Sequence, residues 1–490
     1  MPHCLLGYTP PAGLDPTDAA PQPASGGVFY SLEELSRWRE RVVIGPFVTA
    51  DDFMPGSPAD WGRVSVHANA FMSIGEVSFT AGSDARELGT LGIQARDAAF
   101  SALIRDDAKA RSAVVAYLLE QADNPALDLP STECLKYPDG RVLDGLFFHG
   151  AWLLRYIVSY DYVRAALAPK QRVRIERFIR HNAYFLAVMS DKGLADVFPL
   201  RLSGNYQARR GAAKPASESE TWWTKRYDTT GDCRVDASDE VAALPVYAYV
   251  RADGSLGPRL SVLSQYYNNR RSIATAAFGA AGVLLADPVL VGSAKRYFME
   301  WLAYSVYPDG SLGEYARNGD YCIPGQGAIY GSADLQGAAL LASLLARQGD
   351  RSLVEFSTRE GLFGSESRGN AAPKSIALAI NTYIELIRGR RVWFFHQPWR
   401  ARQDLSAANA IGSREVHYMG SPQAMDEYHE LGLLPHAGLF PAVPIAGTVL
   451  RDRQVFDARF PGATGHPVAT GYGNWSDYFN ALPAALLLRP

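Results

Sequence analysis

The chain has 490 residues, 47% of them hydrophobic, and 48 Lys and Arg against 51 Asp and Glu give a net charge of −3. No run of Lys or Arg forms a basic tract, so the sequence points to no nucleic-acid partner. No apolar run approaches the ~18 residues of a membrane span, so no membrane partner is expected either.

Residues 1–30 read as an extended arm rich in Pro, Ala and Gly. It lacks the apolar core of a signal peptide, so the chain is read either as intracellular or as a mature form that has lost its signal. Ser31-Leu-Glu-Glu34 is a capping box, and Leu32, Leu35 and Trp38 follow it at helical spacing. Val42 to Glu87 is punctuated by Pro and Gly and reads as loop. Leu91–Ile104 and Ala108–Gln121 form a helical pair joined by Arg105-Asp-Asp and closed by Asn124-Pro125. Phe147–Leu167 and Gln171–Met189 form a second pair, with Pro169 suited to a first helical position.

Residues 191–260 read as irregular, and a loop that long is functional or disordered. Helical hairpins resume with Ser272–Ala286, Gly292–Val306, Ser332–Gln348 and Lys374–Gly389. The last hundred residues mix short aromatic segments, such as Val392-Trp-Phe-Phe395, with Pro and Gly turns. The expected fold is all-α: an incomplete (α/α) toroid over residues 31–390, with 391–490 as a loop-rich closing segment of the same domain.

Two clusters carry chemistry. Tyr267-Asn268-Asn269-Arg270-Arg271 opens one apolar helix. Arg317 ends the run Asp309-Gly-Ser-Leu-Gly-Glu-Tyr-Ala-Arg317, and Tyr330 precedes another apolar helix. Amide, guanidinium and phenol groups at helix entrances can hold a carboxylate and move a proton, which suits an acidic sugar as substrate. The chain's 25 Tyr and 9 Trp also suit a cleft that stacks sugar rings, because each has an apolar face and a polar tip.

Four cysteines, Cys4, Cys134, Cys233 and Cys322, contain no CxxC pair. Zinc-ribbon and thioredoxin motifs are therefore not expected, and one or two disulfides remain open. Asp228, Asp232, Asp236, Asp239 and Glu240 form an acidic cluster whose spacing does not match an EF-hand loop. No metal or other cofactor is demanded.

Three passages resemble the alginate-lyase family of polysaccharide lyases. Ala98-Ala-Phe-Ser-Ala-Leu-Ile, followed by Ala113-Val-Val-Ala-Tyr-Leu-Leu and Asn124-Pro125, resembles the family's first hairpin. Trp152-Leu-Leu-Arg-Tyr-Ile-Val-Ser-Tyr-Asp-Tyr162 resembles its next inner helix. Asn268-Asn269-Arg270 falls where the family carries Asn-Asn-His, and Arg317 and Tyr330 resemble its later Arg and Tyr. The resemblance spans roughly residues 90–350. It departs in two places: Arg270 replaces the motif His, and Asn318–Ile329 lengthens the Arg-to-Tyr spacing, which makes Tyr321 a competitor of Tyr330.

The resemblance implies β-elimination on a β-1,4-linked polyuronate such as polymannuronate, alginate or glucuronan, by a periplasmic or secreted enzyme. Such a lyase removes the C5 proton beside the carboxylate and expels the C4 oxygen, so donors aimed at the developing enediolate supply much of the catalysis. Asn269 and Arg317 suit that role, an Arg gripping a carboxylate with two parallel donors. The alternatives are a helix cap for Asn269 and a surface ion pair for Arg317. In β-mannuronate and β-glucuronate the C5 hydrogen and C4 oxygen share a face, so Tyr330 alone could act as acid and base. Cationic Arg groups nearby would lower its phenol pKa.

His149 is a candidate base or carboxylate neutraliser, the alternative being a satisfied core histidine; His67 is a weaker candidate. Trp152, Trp222, Trp223, Tyr266, Tyr267 and Tyr321 are candidates to contact sugar, with Asn268 beside them. Arg270 and Arg271 could hold uronates, but adjacent residues on a helix cannot face the same way, and Arg270 is favoured. Two other readings stand beside the lyase. One is an (α/α) glycoside hydrolase with carboxylates from Asp309, Glu314, Asp320 and Asp334. The other is a non-catalytic glycan-binding toroid.

Overall fold

A computed structural model describes residues 16, 18–20, 26–43, 59–74, 85–124, 145–202, 249–250, 267–312, 326–359, 361–362, 373–387 and 438–443. Helix dominates the described residues, as the period of the apolar positions predicts. In chain order the helices are α1 (Leu32–Val43), α2 (Ala59–Ser73), α3 (Ala85–Arg105), α4 (Ala108–Asp123), α5 (Gly145–Val163), α6 (Pro169–Leu202), α7 (Asn269–Leu284), α8 (Pro288–Tyr304), α9 (Gln326–Arg347), α10 (Ser352–Glu355) and α11 (Ile376–Ile387).

Among the described residues strand is confined to two small antiparallel pairs. β1 (Tyr249–Val250) pairs with β3 (Gly361–Leu362), and β2 (Ser357–Thr358) pairs with β4 (Lys374–Ser375). No helix among the described residues is long and apolar enough to cross a membrane.

Local chemistry sets the helix ends. The capping box forms as its sequence requires: Ser31 N donates to Glu34 Oε2 at 2.7 Å, and Glu34 N donates to Ser31 Oγ at 3.1 Å. Asp107 accepts from Lys109 N and Ala110 N to start α4. Its neighbour Asp106 takes φ +55° in the turn from α3. Asp287 caps α8 in the same way, with Pro288 opening the helix.

The hairpins pack as two rows. α3, α5, α7 and α9 contact one another in succession to form an inner row. α4, α6 and α8 pair with the preceding inner helices and form an outer row. The central helix α7 is buried along nearly its whole length. A helix that is apolar on every side belongs in a core, and its Ala and Gly residues let neighbouring backbones come close. A Cβ on Gly150 of α5 would stand 2.9 Å from Ala274 Cα, and one on Gly337 of α9 would stand 2.8 Å from the Ser272 carbonyl.

The arm is an integral part of the core. Buried Asp161 on α5 accepts from Val28 N and Phe29 N, each at 3.0 Å. Glu176 on α6 accepts from Ala20 N at 2.6 Å, and Arg164 donates to Ala20 O. Tyr30 and Trp38 pack into a cluster with Phe100 and Tyr162. At the far end of the chain, Phe440 and Val443 join the same core.

Three readings of the sequence are corrected. The stretch read as loop between Val42 and Glu87 contains α2, whose Val64, Ala68 and Phe71 are buried at i, i+4, i+7 spacing. The stretch read as irregular from residue 191 begins as helix, since α6 continues to Leu202. The inner helices also start earlier than their apolar periodicity: α9 begins at Gln326, so Tyr330 lies within it and not before it.

Candidate functional site

Four of the site candidates, Asn268 to Arg271, stand at the N-terminal end of α7. Asn268 is the N-cap, and its Oδ1 accepts from Arg270 N at 3.0 Å. The capping role therefore falls to Asn268, and Asn269 is the first helical residue. Asn269 is 3% exposed.

Contacts along α7 fix which way each residue faces. Arg271 and Thr275 line a crevice with Tyr297, Phe298 and Trp301 of α8. Phe278 meets the Tyr297 ring, and Gly282 lies against Leu290 and Val291. These four positions form an i, i+4, i+7, i+11 stripe facing the outer row. Ala274 faces α5 through Gly150, and Ser272 and Gly279 face α9 through Gly337 and Leu341. At 3.6 residues per turn the remaining inward face carries Asn269, Ile273 and Ala280. Asn269 is thus the polar residue at the top of an apolar inner stripe. Arg270 falls between the inward face and α5, and it is only partly buried. Arg271 is turned away, into a crevice with room for about one water.

Tyr330 is brought to the same end. Asp334 on α9 accepts a short hydrogen bond from Ser272 Oγ. The pairs Ser272–Asp334 and Gly279–Leu341 rise together in number, so α7 and α9 run parallel. Position 330 is one helical turn before Asp334 on α9. One turn above Ser272 on α7 are Asn268 and Asn269. The register therefore sets position 330 beside the Asn-Asn pair, which the spacing in sequence alone did not reveal.

Other candidates have different environments. His149 points between the rows: its Nε2 donates to Asn182 Oδ1 at 2.7 Å, and its ring packs on Trp152 and Phe185. Asn182 Nδ2 donates to Phe178 O, which fixes the amide orientation and hence the histidine tautomer. Burial pulls the His149 pKa from 6.5 down to about 4, against the opposing hydrogen bond from Asn182. An imidazole that is 6% exposed and held neutral by burial packs here as a core residue.

Trp152 is likewise core, 1% exposed, with its Nε1 donating to Tyr117 OH at 3.3 Å. It has no open face for a sugar. Tyr267 donates its hydroxyl to Glu300 Oε2 at 2.8 Å and tethers the α7 entrance to α8.

His67 lies on the unexpected helix α2. Its Nδ1 meets Asp97 Oδ2 at 2.6 Å, and Arg96 holds the other oxygen of that buried carboxylate from 2.8 Å. This pair belongs to the α2–α3 interface. Among the proposed hydrolase carboxylates, Asp334 is 0% exposed and Asp309 accepts from Ser311 N and Oγ.

Arg317, Tyr321, Trp222, Trp223, Tyr266, Glu314, Asp320, the acidic cluster 228–240 and all four cysteines lie outside the described residues. Among the described residues no three His, Cys, Asp or Glu side chains assemble as metal ligands. No protein-family model matches the chain, and no curated protein matches it in sequence.

Proposed function

We propose that the chain is a polysaccharide lyase that cleaves a β-1,4-linked polyuronate, polymannuronate or glucuronan, by syn β-elimination on an (α/α) toroid. The observation that supports this reading is the parallel α7–α9 register, in which position 330 of α9 and the Asn268-Asn269-Arg270 entrance of α7 stand at the same end of the helix pair. In this reading Asn269, with Arg317, donates to the substrate carboxylate as charge flows into it. A neutral donor in a water-excluded position is worth more there than in water. Arg270 holds the same carboxylate or a neighbouring one. Tyr330 takes the C5 proton and returns it to the C4 oxygen on the same ring face. Since Asn269 is buried, a uronate reaches it only when this end opens.

Closure of the rows into a toroid is favoured by the arm. The short helix α1 and the segment before it reach three inner helices near their C-terminal ends. Arg39 donates to Leu103 O on α3, Glu34 pairs with Arg347 on α9, and the segment before α1 is held by Asp161 on α5. A helix of twelve residues is about 18 Å long. A straight row of four helices spaced at 8–10 Å would extend about 27 Å, so a curved row suits these contacts better. The arm then covers the end opposite the Asn269 cluster.

The test is to incubate the protein with polymannuronate, polyguluronate, glucuronan and hyaluronan and to follow ultraviolet absorbance. Elimination produces a conjugated unsaturated uronate. New reducing ends without that chromophore would mean hydrolysis, and binding without either product would mean a lectin-like toroid; both outcomes overturn the proposal.

A further inference from the structure

We infer that Asp334 is a positioning residue for the Asn269–Tyr330 pair, fixing the height of α9 against α7; the inference rests on the lyase reading above.

Asp334 is a carboxylate with no exposed surface. Burying such a charge is costly unless donors surround it, and an apolar residue of the same size commonly costs less. Two of its donors come from different helices. Ser272 Oγ of α7 donates to Oδ1, and Ser305 Oγ, just past the end of α8, donates to Oδ2 at 3.5 Å. The carboxylate therefore ties three helices together at one level. That level is one helical turn, ~5.4 Å, below position 330 on α9 and one turn below Asn268 and Asn269 on α7.

The helices touch there without side chains between them, because a Cβ on Gly337 would already meet the Ser272 backbone. Close backbone contact sets the separation of α7 and α9 but resists sliding poorly, since an Ala/Gly surface has shallow ridges. A directional bond from Asp334 to Ser272 supplies the missing axial constraint. Buried polar contacts are best attested in this role of setting register. The Asp334 charge stands one helical turn from position 330 on α9, and a negative charge at that distance opposes formation of a phenolate there.

The experiment compares Asp334→Asn, Asp334→Ala and Ser272→Ala with the wild type on polymannuronate and glucuronan, together with amide hydrogen exchange of each protein. Asp334→Asn should stay folded and lower kcat at least tenfold with little change in KM. The limb of its pH profile that reports Tyr330 should shift to lower pH by about one unit. Ser272→Ala, which keeps the charge, should lower kcat without moving that limb. In Ser272→Ala and Asp334→Ala, exchange should accelerate at residues 270–276 and 327–334 but not along α3 and α5.

Wild-type kcat and pH profile in Asp334→Asn would overturn the inference while leaving the lyase reading intact. Absence of unsaturated product from the wild type would overturn the lyase reading. The exchange data would then decide the register claim separately, with unchanged protection at both segments refuting it.

Discussion

Arg347, the last residue of α9, donates to both carboxylate oxygens of Glu34 on α1 at 2.7 Å, across 313 residues of sequence. Glu34 also completes the capping box with Ser31. One side chain therefore starts the first helix and fastens it to the last helix of the inner row.

That pairing has a pH signature. Burial pushes the Glu34 carboxyl up, but the Arg347 hydrogen bonds and charge, with Ser31, leave it below its usual value. A lowered folded pKa stabilises the fold above the unfolded value near 4.5 and is lost as pH falls through the folded value. Arg347→Met should cost roughly 1 kcal/mol at neutral pH, the scale of a partly exposed bidentate pair. The cost should vanish in acid, as denaturant titrations at pH 7 and pH 3 would show.

His149 gives the opposite experiment. Burial holds its folded pKa at about 4, below the ordinary histidine value of 6.5, so the unfolded chain binds a proton that the folded chain refuses. Stability is unaffected above pH 6.5 and declines as pH falls from there towards 4, by about 3 kcal/mol in all. His149→Gln keeps a donor for Asn182 and removes the titration. Its melting temperature should fall less than that of the wild type between pH 7.5 and pH 5. An equal fall would mean that the imidazole is not held neutral.

The arm should prove essential to the core. Asp161→Ala leaves the Val28 and Phe29 amides buried without their acceptor, at a cost of about 2–4 kcal/mol. Gly27→Ala should be comparably harmful, because its Cβ would collide with the Asp161 carboxylate and the Tyr30 ring. Thermal melts of both variants provide the measurement, and wild-type stability in either would show that the arm is dispensable.

The two adjacent arginines should separate by readout. Arg271 lines the crevice between α7 and α8, so Arg271→Ala should lower the melting temperature by several degrees. Arg270→Ala should leave the melt nearly unchanged and reduce kcat/KM on polyuronate by tenfold or more, the scale of a lost charged hydrogen bond in a transition state.

Tyr330→Phe keeps the ring and removes the proton carrier. It should bind polymer normally and lower kcat at least about a hundredfold. If Tyr330→Phe remains active while Tyr321→Phe is dead, the proton carrier is Tyr321. Wild-type polyguluronate cleavage should be poor, because its C5 hydrogen lies on the opposite face.

Local rules alone fixed much of the secondary structure. The Ser31–Glu34 box, the Asp107 cap, Pro169 as a first helical residue and the apolar period of the hairpins act within a few residues, and each is visible in the chain. The helix α2 was hidden because its apolar stripe is short and lies between Pro- and Gly-rich flanks. The start of α9 was hidden because its first turn carries Gln326 and Gly327, polar and small residues that announce no period.

The roles of individual side chains were decided by tertiary structure. His149 and Trp152 have the composition of a cleft, yet packing against α6 and α4 turns them into core. Asn269, Arg270 and Arg271 are consecutive, yet the packing of neighbouring helices around α7 sends them in three directions. Position 330 is some sixty residues from Asn269 in the chain, and its height beside α7 depends on which turn of α9 meets which turn of α7. Periodicity records that a residue lies on an apolar face; it does not record which neighbour covers that face or at what height, because those depend on contacts between segments far apart in sequence.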